Sequence, residues 1–127
     1  MSIYMYFPNK ELACRCGCGL GQMDMHPEFM AKLVWVRRNS GIVMPITSAI
    51  RCKDHNRAVS TTGDDGPHTT GRATDIKIYG SKALQIIQLA VRTGMTGIDI
   101  KQKGPKEERF IHLDDLESQP RPWIWSY

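Results

Sequence analysis

The sequence predicts an α+β fold in which a small antiparallel sheet is flanked by helices. Two segments carry apolar residues at helical spacing, and several others alternate or are rich in β-branched and aromatic residues, as strands are. The connections between the later strands are short, which favours antiparallel pairing. A chain of 127 residues holds one core of modest size, so we expect a single domain over residues 1–127. The cysteine-containing segment 1–25 is expected to pack on it.

The first helix is predicted to begin near Asp24 or His26, because Pro27 is suited to a first helical turn. Apolar residues follow at helical spacing as far as Val36. The Asn-Ser-Gly sequence at 39–41 should then end the helix, since glycine is the preferred residue just beyond a helix.

Residues 42–50 are apolar and β-branched around Pro45, so we predict an edge strand or a strand that is entered through a bulge. Residues 51–67 are polar and rich in turn formers, so we expect mostly loop with a single helical turn. Residues 73–79 alternate as a strand does, with Asp75 on the face opposite the isoleucines.

The second helix is predicted over residues 82–93, with Ser81 as its N-cap and Gly94 ending it. Residues 97–101 and 109–113 should follow as two strands joined through a Gly-Pro turn.

The aromatic tail, residues 123–127, is predicted to form a last strand docked on the sheet. At strand spacing Trp123, Trp125 and Tyr127 fall on one face. We expect them to seal the core; the alternative is that they stack on sugars or peptide.

The pattern that carries most chemistry is His68 and Asp75, seven residues apart, with His112 far downstream. Two imidazoles and one carboxylate suit Zn²⁺ with a fourth position left for water. Such a metal polarises a carbonyl and lowers the pKa of its water, which is hydrolase chemistry. Gly71 and Ala73 are small enough to let the backbone approach the metal.

Together with their flanks, the segments Ser48–Asn56, His68–Asp75 and Phe110–Asp114 resemble the zinc D-Ala-D-Ala carboxypeptidase family, which includes phage and prophage murein peptidases. The resemblance runs from about residue 29 to the C-terminus. It implies the small fold shared by hedgehog domains and DD-peptidases, Zn²⁺ as cofactor, and a peptidoglycan stem peptide as substrate. D,D-carboxypeptidase and L-alanyl-D-glutamate endopeptidase activities are both open.

By position, the resemblance implies three zinc ligands, His68, Asp75 and His112. It also implies that Arg51 stabilises the developing anion. Several family members place an acid three residues before the last histidine as general base, but this position is Arg109 here. Asp114 and Glu108 are therefore the candidate bases, although orienting a ligand imidazole is the slightly favoured role for Asp114.

The charge and composition of the chain limit the classes of partner that we predict. The formal net charge of +4 is interpreted mainly as solubilising, with steering toward anionic wall polymers as the alternative. Basic residues are not interleaved with aromatic ones, so no nucleic-acid binding is predicted. No apolar run is long enough for membrane insertion, and no signal peptide is recognisable at the start. We expect a monomer made in the cytoplasm that reaches the cell wall through a holin or a virion.

A rival function follows from the missing acid at position 109. The protein would then be a catalytically inactive, zinc-binding structural or virion-associated protein with the same fold.

The remaining candidate site is formed by four cysteines, Cys14, Cys16, Cys18 and Cys52. Four thiolates suit a structural zinc ion, although the familiar spacing of two residues between cysteines is absent. Disulfides formed after export and free buried thiols are the two alternatives.

Overall fold

The computed structural model describes residues 6–127 and confirms the α+β class. The helices are α1 (Asn9–Leu12), α2 (Pro27–Ser40), α3 (Lys53–Val59) and α4 (Gly80–Arg92). The strands are β1 (Ile46–Ser48), β2 (Ala73–Lys77), β3 (Gly97–Lys101), β4 (Phe110–Asp114) and β5 (Trp123–Ser126). They form one sheet in the order β1-β2-β4-β3-β5. The first four are antiparallel neighbours as predicted, whereas β5 pairs parallel with β3, so the complete sheet is mixed.

Helix α2 has the predicted ends. The His26 side chain accepts a hydrogen bond from the backbone N–H of Glu28, Pro27 occupies the first turn, and Gly41 ends the helix with a φ of +65°. Helix α4 begins at Gly80, so Ser81 lies inside the helix and is not its N-cap.

The segment after β1 contains more helix than expected. Helix α3 spans seven residues, where the sequence predicted one turn. Its single buried residue is Asn56, so it has no apolar stripe from which to recognise it. It is held by polar contacts: the Asn56 amide donates to Thr62 Oγ1, and Cys52 Sγ accepts from the N–H of His55.

The two faces of the sheet differ in chemistry. The isoleucine-rich face packs in the core, and the core also includes the fully buried Phe7 and Leu12 of the N-terminal segment. The opposite face carries the polar residues of β2, β3 and β4, and alternation along each strand separates the two sets.

The aromatic tail forms a strand, but the expectation that its side chains seal the core is wrong. Strand β5 is the outer strand beside β3, and Trp123 and Tyr127 are 54% and 66% exposed. Only Trp125 is partly covered. Across residues 6–127 no helix has the length and apolarity to cross a membrane.

Candidate metal centre and active site

A single row of side chains crosses all five strands on the polar face of the sheet. The strand register places Ser48 beside Asp75, Asp75 beside His112, His112 beside Asp99, and Asp99 beside Trp125. Residues opposite one another on adjacent strands point to the same face. The sheet therefore aligns two of the three predicted metal ligands in one line, with a second carboxylate and an aromatic ring beyond them.

The third predicted ligand, His68, reaches the row from the 3-10 turn before β2. Its Nε2 lies 3.2 Å from Asp75 Oδ1, and His112 Nδ1 lies 3.1 Å from the same oxygen. Zinc bonds of about 2.0–2.2 Å in a tetrahedron separate neighbouring ligand atoms by about 3.3 Å. The spacing of these three buried residues therefore fits a zinc ion.

In each imidazole, the ring nitrogen that points away from Asp75 hydrogen-bonds to another group. His68 Nδ1 lies 2.8 Å from the backbone oxygen of Ala49, and His112 Nε2 lies 2.7 Å from Asp114 Oδ2. Since both partners accept hydrogen bonds, those nitrogens carry the protons of the neutral rings. Each ring then turns a lone pair toward Asp75, and three acceptors facing one another need a cation between them.

The pKa values of Asp75 and His112 show that this centre favours a positive charge between its acceptors. Burial opposes the ionised form of Asp75, but its hydrogen bonds with His112 and His68 outweigh burial and hold its pKa below the usual range. Burial likewise opposes the charged form of His112, yet Asp114 and Asp75 raise its pKa to about 9. In the absence of metal, a proton on His112 Nδ1 supplies the positive charge that faces Asp75.

Both carboxylate oxygens of Asp114 already accept hydrogen bonds from the protein. It accepts from His112 Nε2, from both Arg121 Nε and Nη2 at 2.8 and 2.7 Å, and from the N–H of Leu116. Burial is outweighed by Arg121 and His112, so the pKa of Asp114 falls to about 2. Gly97 is required beside it, because a Cβ there would collide with the carboxylate. These contacts favour imidazole orientation over proton transfer.

Arg51 lies against the same centre. Its Nε donates to Ser48 Oγ at 3.0 Å, Nη1 donates to Asn56 Oδ1 at 3.2 Å, and Nη2 lies 3.5 Å from Asp75 Oδ2. The backbone N–H of Arg51 also donates to the oxygen of His68. A guanidinium that is fixed on three sides beside the metal ligands is preorganised to bind an oxygen atom.

The structure separates the candidate bases. Glu108 lies in the exposed 3-10 turn Lys106–Glu108 before β4, and not on a strand with His112. Asp99, which the sequence analysis did not single out, is 2% exposed and lies in the row next to His112. Burial raises its pKa, against a hydrogen bond from the N–H of Ile100.

Aromatic rings border the row on the side of β5. The Trp125 ring lies 5.8 Å from the His112 ring, and the Arg121 guanidinium lies 5.2 Å from the centroid of Trp125. Burial and the nearby carboxylates Asp75 and Asp99 raise the pKa of Tyr127, whose ring lies 5.0 Å from that of Phe110. The tail therefore contributes to the wall of the site.

The four cysteines also come together, with all four Sγ atoms within 4.8 Å of one another. This cysteine cluster (Cys14, Cys16, Cys18 and Cys52) includes no residue of the His-Asp-His group.

An α+β domain with a buried His-Asp-His group on the open face of its sheet has the construction of a metal-dependent hydrolase. The family model described as Peptidase M15 matches residues 5–114, and the chain belongs to this family of metallopeptidases, the zinc D-Ala-D-Ala carboxypeptidase-like peptidases. The match includes the cysteine-containing segment. Membership implies a peptide substrate. Comparisons with curated proteins and with solved structures gave no match.

Proposed function

We propose that this protein is a zinc-dependent peptidase that hydrolyses the stem peptides of peptidoglycan. The observation that carries the proposal is the convergence of two imidazole lone pairs and one carboxylate, beside a fixed arginine, in a member of a peptidase family. D,D-carboxypeptidase and L-alanyl-D-glutamate endopeptidase activities are the two forms of this proposal.

His68 Nε2, Asp75 and His112 Nδ1 would hold the metal. When bound there, Zn²⁺ supplies Lewis acidity and makes water a stronger nucleophile at neutral pH. The protein orients the two imidazoles: Ala49 binds His68 through Nδ1, and Asp114 binds His112 through Nε2. Arg121 keeps Asp114 ionised for that task.

Arg51 binds the carbonyl oxygen of the scissile bond and the negative charge that develops on it. Its guanidinium has five N–H donors, and the contacts with Ser48, Asn56 and Asp75 occupy one direction each. The remaining donors are available to substrate. Because the arginine is already fixed, little reorganisation is needed during the reaction.

Asp99 is the residue that we assign as proton acceptor for the attacking water. It is the carboxylate in the row that neither ligates the metal nor pairs with an arginine. Its raised pKa suits it to hold a proton and to pass it to the leaving amine.

The aromatic side of the site binds the rest of the substrate. Trp125 lies beside His112, and both Trp123 on β5 and Tyr127 just after it are exposed. They offer apolar faces to a peptide or to the adjoining sugar. The formal net charge of +4 favours approach to anionic wall polymers. The protein acts as a monomer, encoded by a phage or prophage and delivered as an endolysin through a holin or as part of a virion.

Digestion of purified peptidoglycan tests the activity. Wild-type protein is incubated with walls of several chemotypes, with and without a zinc chelator, and released fragments are identified by mass spectrometry. Chelator-sensitive release is expected, and fragment masses name the bond. Zinc-loaded protein that releases nothing from any chemotype would instead support the inactive structural or virion-associated alternative.

Paired isosteric variants test the proton acceptor. Asp99→Asn should keep zinc and lose turnover by about two to four powers of ten, the range attributed to a general base. Glu108→Gln is the matched control, since this carboxylate is exposed outside the strand. Equal losses in both variants, or loss only in Glu108→Gln, would transfer the role away from Asp99.

A further inference from the structure

We propose that Cys14, Cys16, Cys18 and Cys52 bind a structural zinc ion that fastens the N-terminal segment to the start of α3. This site is separate from the His-Asp-His centre and takes no part in the chemistry proposed above. Its ligands come from two parts of the chain that are distant in sequence, the loop after α1 and the residue before α3.

Sulfur–sulfur distances in the cysteine cluster match metal coordination. Cys14 Sγ lies 3.4 Å from Cys16 Sγ and 4.0 Å from Cys52 Sγ, and the Cys16 and Cys52 sulfurs are 3.6 Å apart. Zinc–sulfur bonds of about 2.3 Å in a tetrahedron place the sulfurs about 3.8 Å apart. A disulfide would need about 2.05 Å, and all four cysteines are free.

The loop between Cys14 and Leu20 is folded so that its alternate cysteines converge. The N–H of Gly17 donates to the Cys14 oxygen, and the N–H of Cys14 donates to the Leu20 oxygen, which closes the loop. Gly17 and Gly19 have φ values of +81° and +100°, a conformation that residues with a side chain rarely adopt. In an extended chain the three alternating cysteines would share one face but lie about 6.6 Å apart from one to the next, too far to bind one ion.

Backbone donors at the cluster favour thiolates over thiols. The N–H of Cys52 donates to Cys14 Sγ at 3.5 Å, and the N–H of His55 donates to Cys52 Sγ at 3.3 Å. Hydrogen bonds of this kind stabilise negative charge on sulfur, as the surroundings of metal-bound cysteines do. Four thiolates this close repel one another, and a divalent cation removes that repulsion.

The alternatives of disulfides or free thiols fit the geometry less well. Two disulfides would have to join two sulfurs of the loop 14–18 to each other, across a span of only two or four residues. A single disulfide would leave two thiols over. Cys16 and Cys18 are exposed, so as free thiols they would gain nothing from packing. A metal uses all four sulfurs at once.

A zinc ion at the cysteine cluster would fix the position of the loop 14–18 on the rest of the domain. Cys52 follows Arg51 in the chain, and the Arg15 guanidinium within the loop donates to the Ile46 oxygen of β1 at 3.1 Å. The ion would therefore join the loop 14–18 to the residue before α3, while the Arg15 hydrogen bond joins the same loop to β1.

Metal counting on purified, reduced protein tests the inference. Wild type should bind about two zinc equivalents per chain, and His112→Ala should keep about one, held by the cysteines. Cobalt added to His112→Ala in place of zinc should give an intense thiolate-to-cobalt charge-transfer band. Wild-type protein with about one zinc equivalent, and no charge-transfer band on cobalt loading, would overturn the proposal.

Variants at exposed Cys18 supply a matched pair. Cys18→Ser should lose about one zinc equivalent and lower the thermal midpoint, whereas Cys18→His should retain the metal, since histidine also ligates zinc. If both variants bind as much zinc as wild type, Cys18 is not a ligand and the four-cysteine site is refuted. The His-Asp-His centre is counted separately through His112→Ala, so failure of either site is seen without the other.

Discussion

Zinc binding at the His-Asp-His centre should release a proton from His112. In the metal-free protein His112 lies between two carboxylates, with Nδ1 3.1 Å from Asp75 and Nε2 2.7 Å from Asp114. Although burial opposes the charged ring, these contacts raise its pKa to about 9. The metal needs the lone pair of Nδ1 and must displace the proton held there.

The size of this effect follows from the pKa. Below about pH 9, each unit by which the pH falls should weaken the apparent zinc affinity tenfold, or about 1.4 kcal/mol. From pH 9 to pH 7 the loss is about fiftyfold, or about 2.3 kcal/mol, because half of the rings are already protonated at pH 9. At pH 7, binding should release about one proton from this residue.

Titration calorimetry at pH 7 in buffers of different ionisation enthalpy measures the protons released. Asp114→Asn removes one of the two carboxylates that raise the pKa of His112, so it should release a smaller fraction of a proton at pH 8. Asp115→Asn is the control, because this neighbouring buried carboxylate pairs with Lys32 and Arg72. Wild-type release near zero at pH 7, or equal effects of the two substitutions, would refute the reasoning.

Three further outcomes are expected. Arg51→Ala should retain zinc in metal analysis but lose about a hundred- to a thousandfold in turnover, and near-normal turnover would remove it from the oxyanion role. Gly97→Ala should displace Asp114 and weaken zinc binding in a chelator competition, with unchanged affinity contradicting the steric argument. Because the pKa of His112 is raised from 6.5, it stabilises the folded metal-free protein fully below about pH 6.5 and loses that contribution through about pH 9. The thermal midpoint of chelated protein should therefore fall across this interval, and a flat profile would contradict the raised pKa.

The features that the sequence predicted well are those encoded locally. Helix α2 is marked by a proline at its start and a glycine at its end, and β2 and β4 by alternation. The candidate ligands His68, Asp75 and His112 were predicted by motif, and the structure brings their side chains together. Each of these signals lies within a few residues of the position it specifies.

What the sequence did not predict depends on pairing between distant segments. Asp99 is unremarkable in its own strand, and its proximity to the centre follows only from the register of β3 with β4. Arg121 lies in a proline-containing connection with no periodic pattern, yet it pairs with Asp114. The exposure of Trp123 and Tyr127 follows from the position of β5 at the sheet edge, which alternation cannot reveal.

Because the site residues lie in a row across the strands, the strands and their connections differ in how they tolerate an inserted or deleted residue. Asp75 and His112 point to one face while Ile76 and Ile111, their immediate neighbours, fill the core on the other. An inserted or deleted residue in either strand would exchange the two sets, losing metal and core together. The connection 102–109 lies between β3 and β4 and outside their paired register, so a change of length within it need not exchange the two faces of either strand.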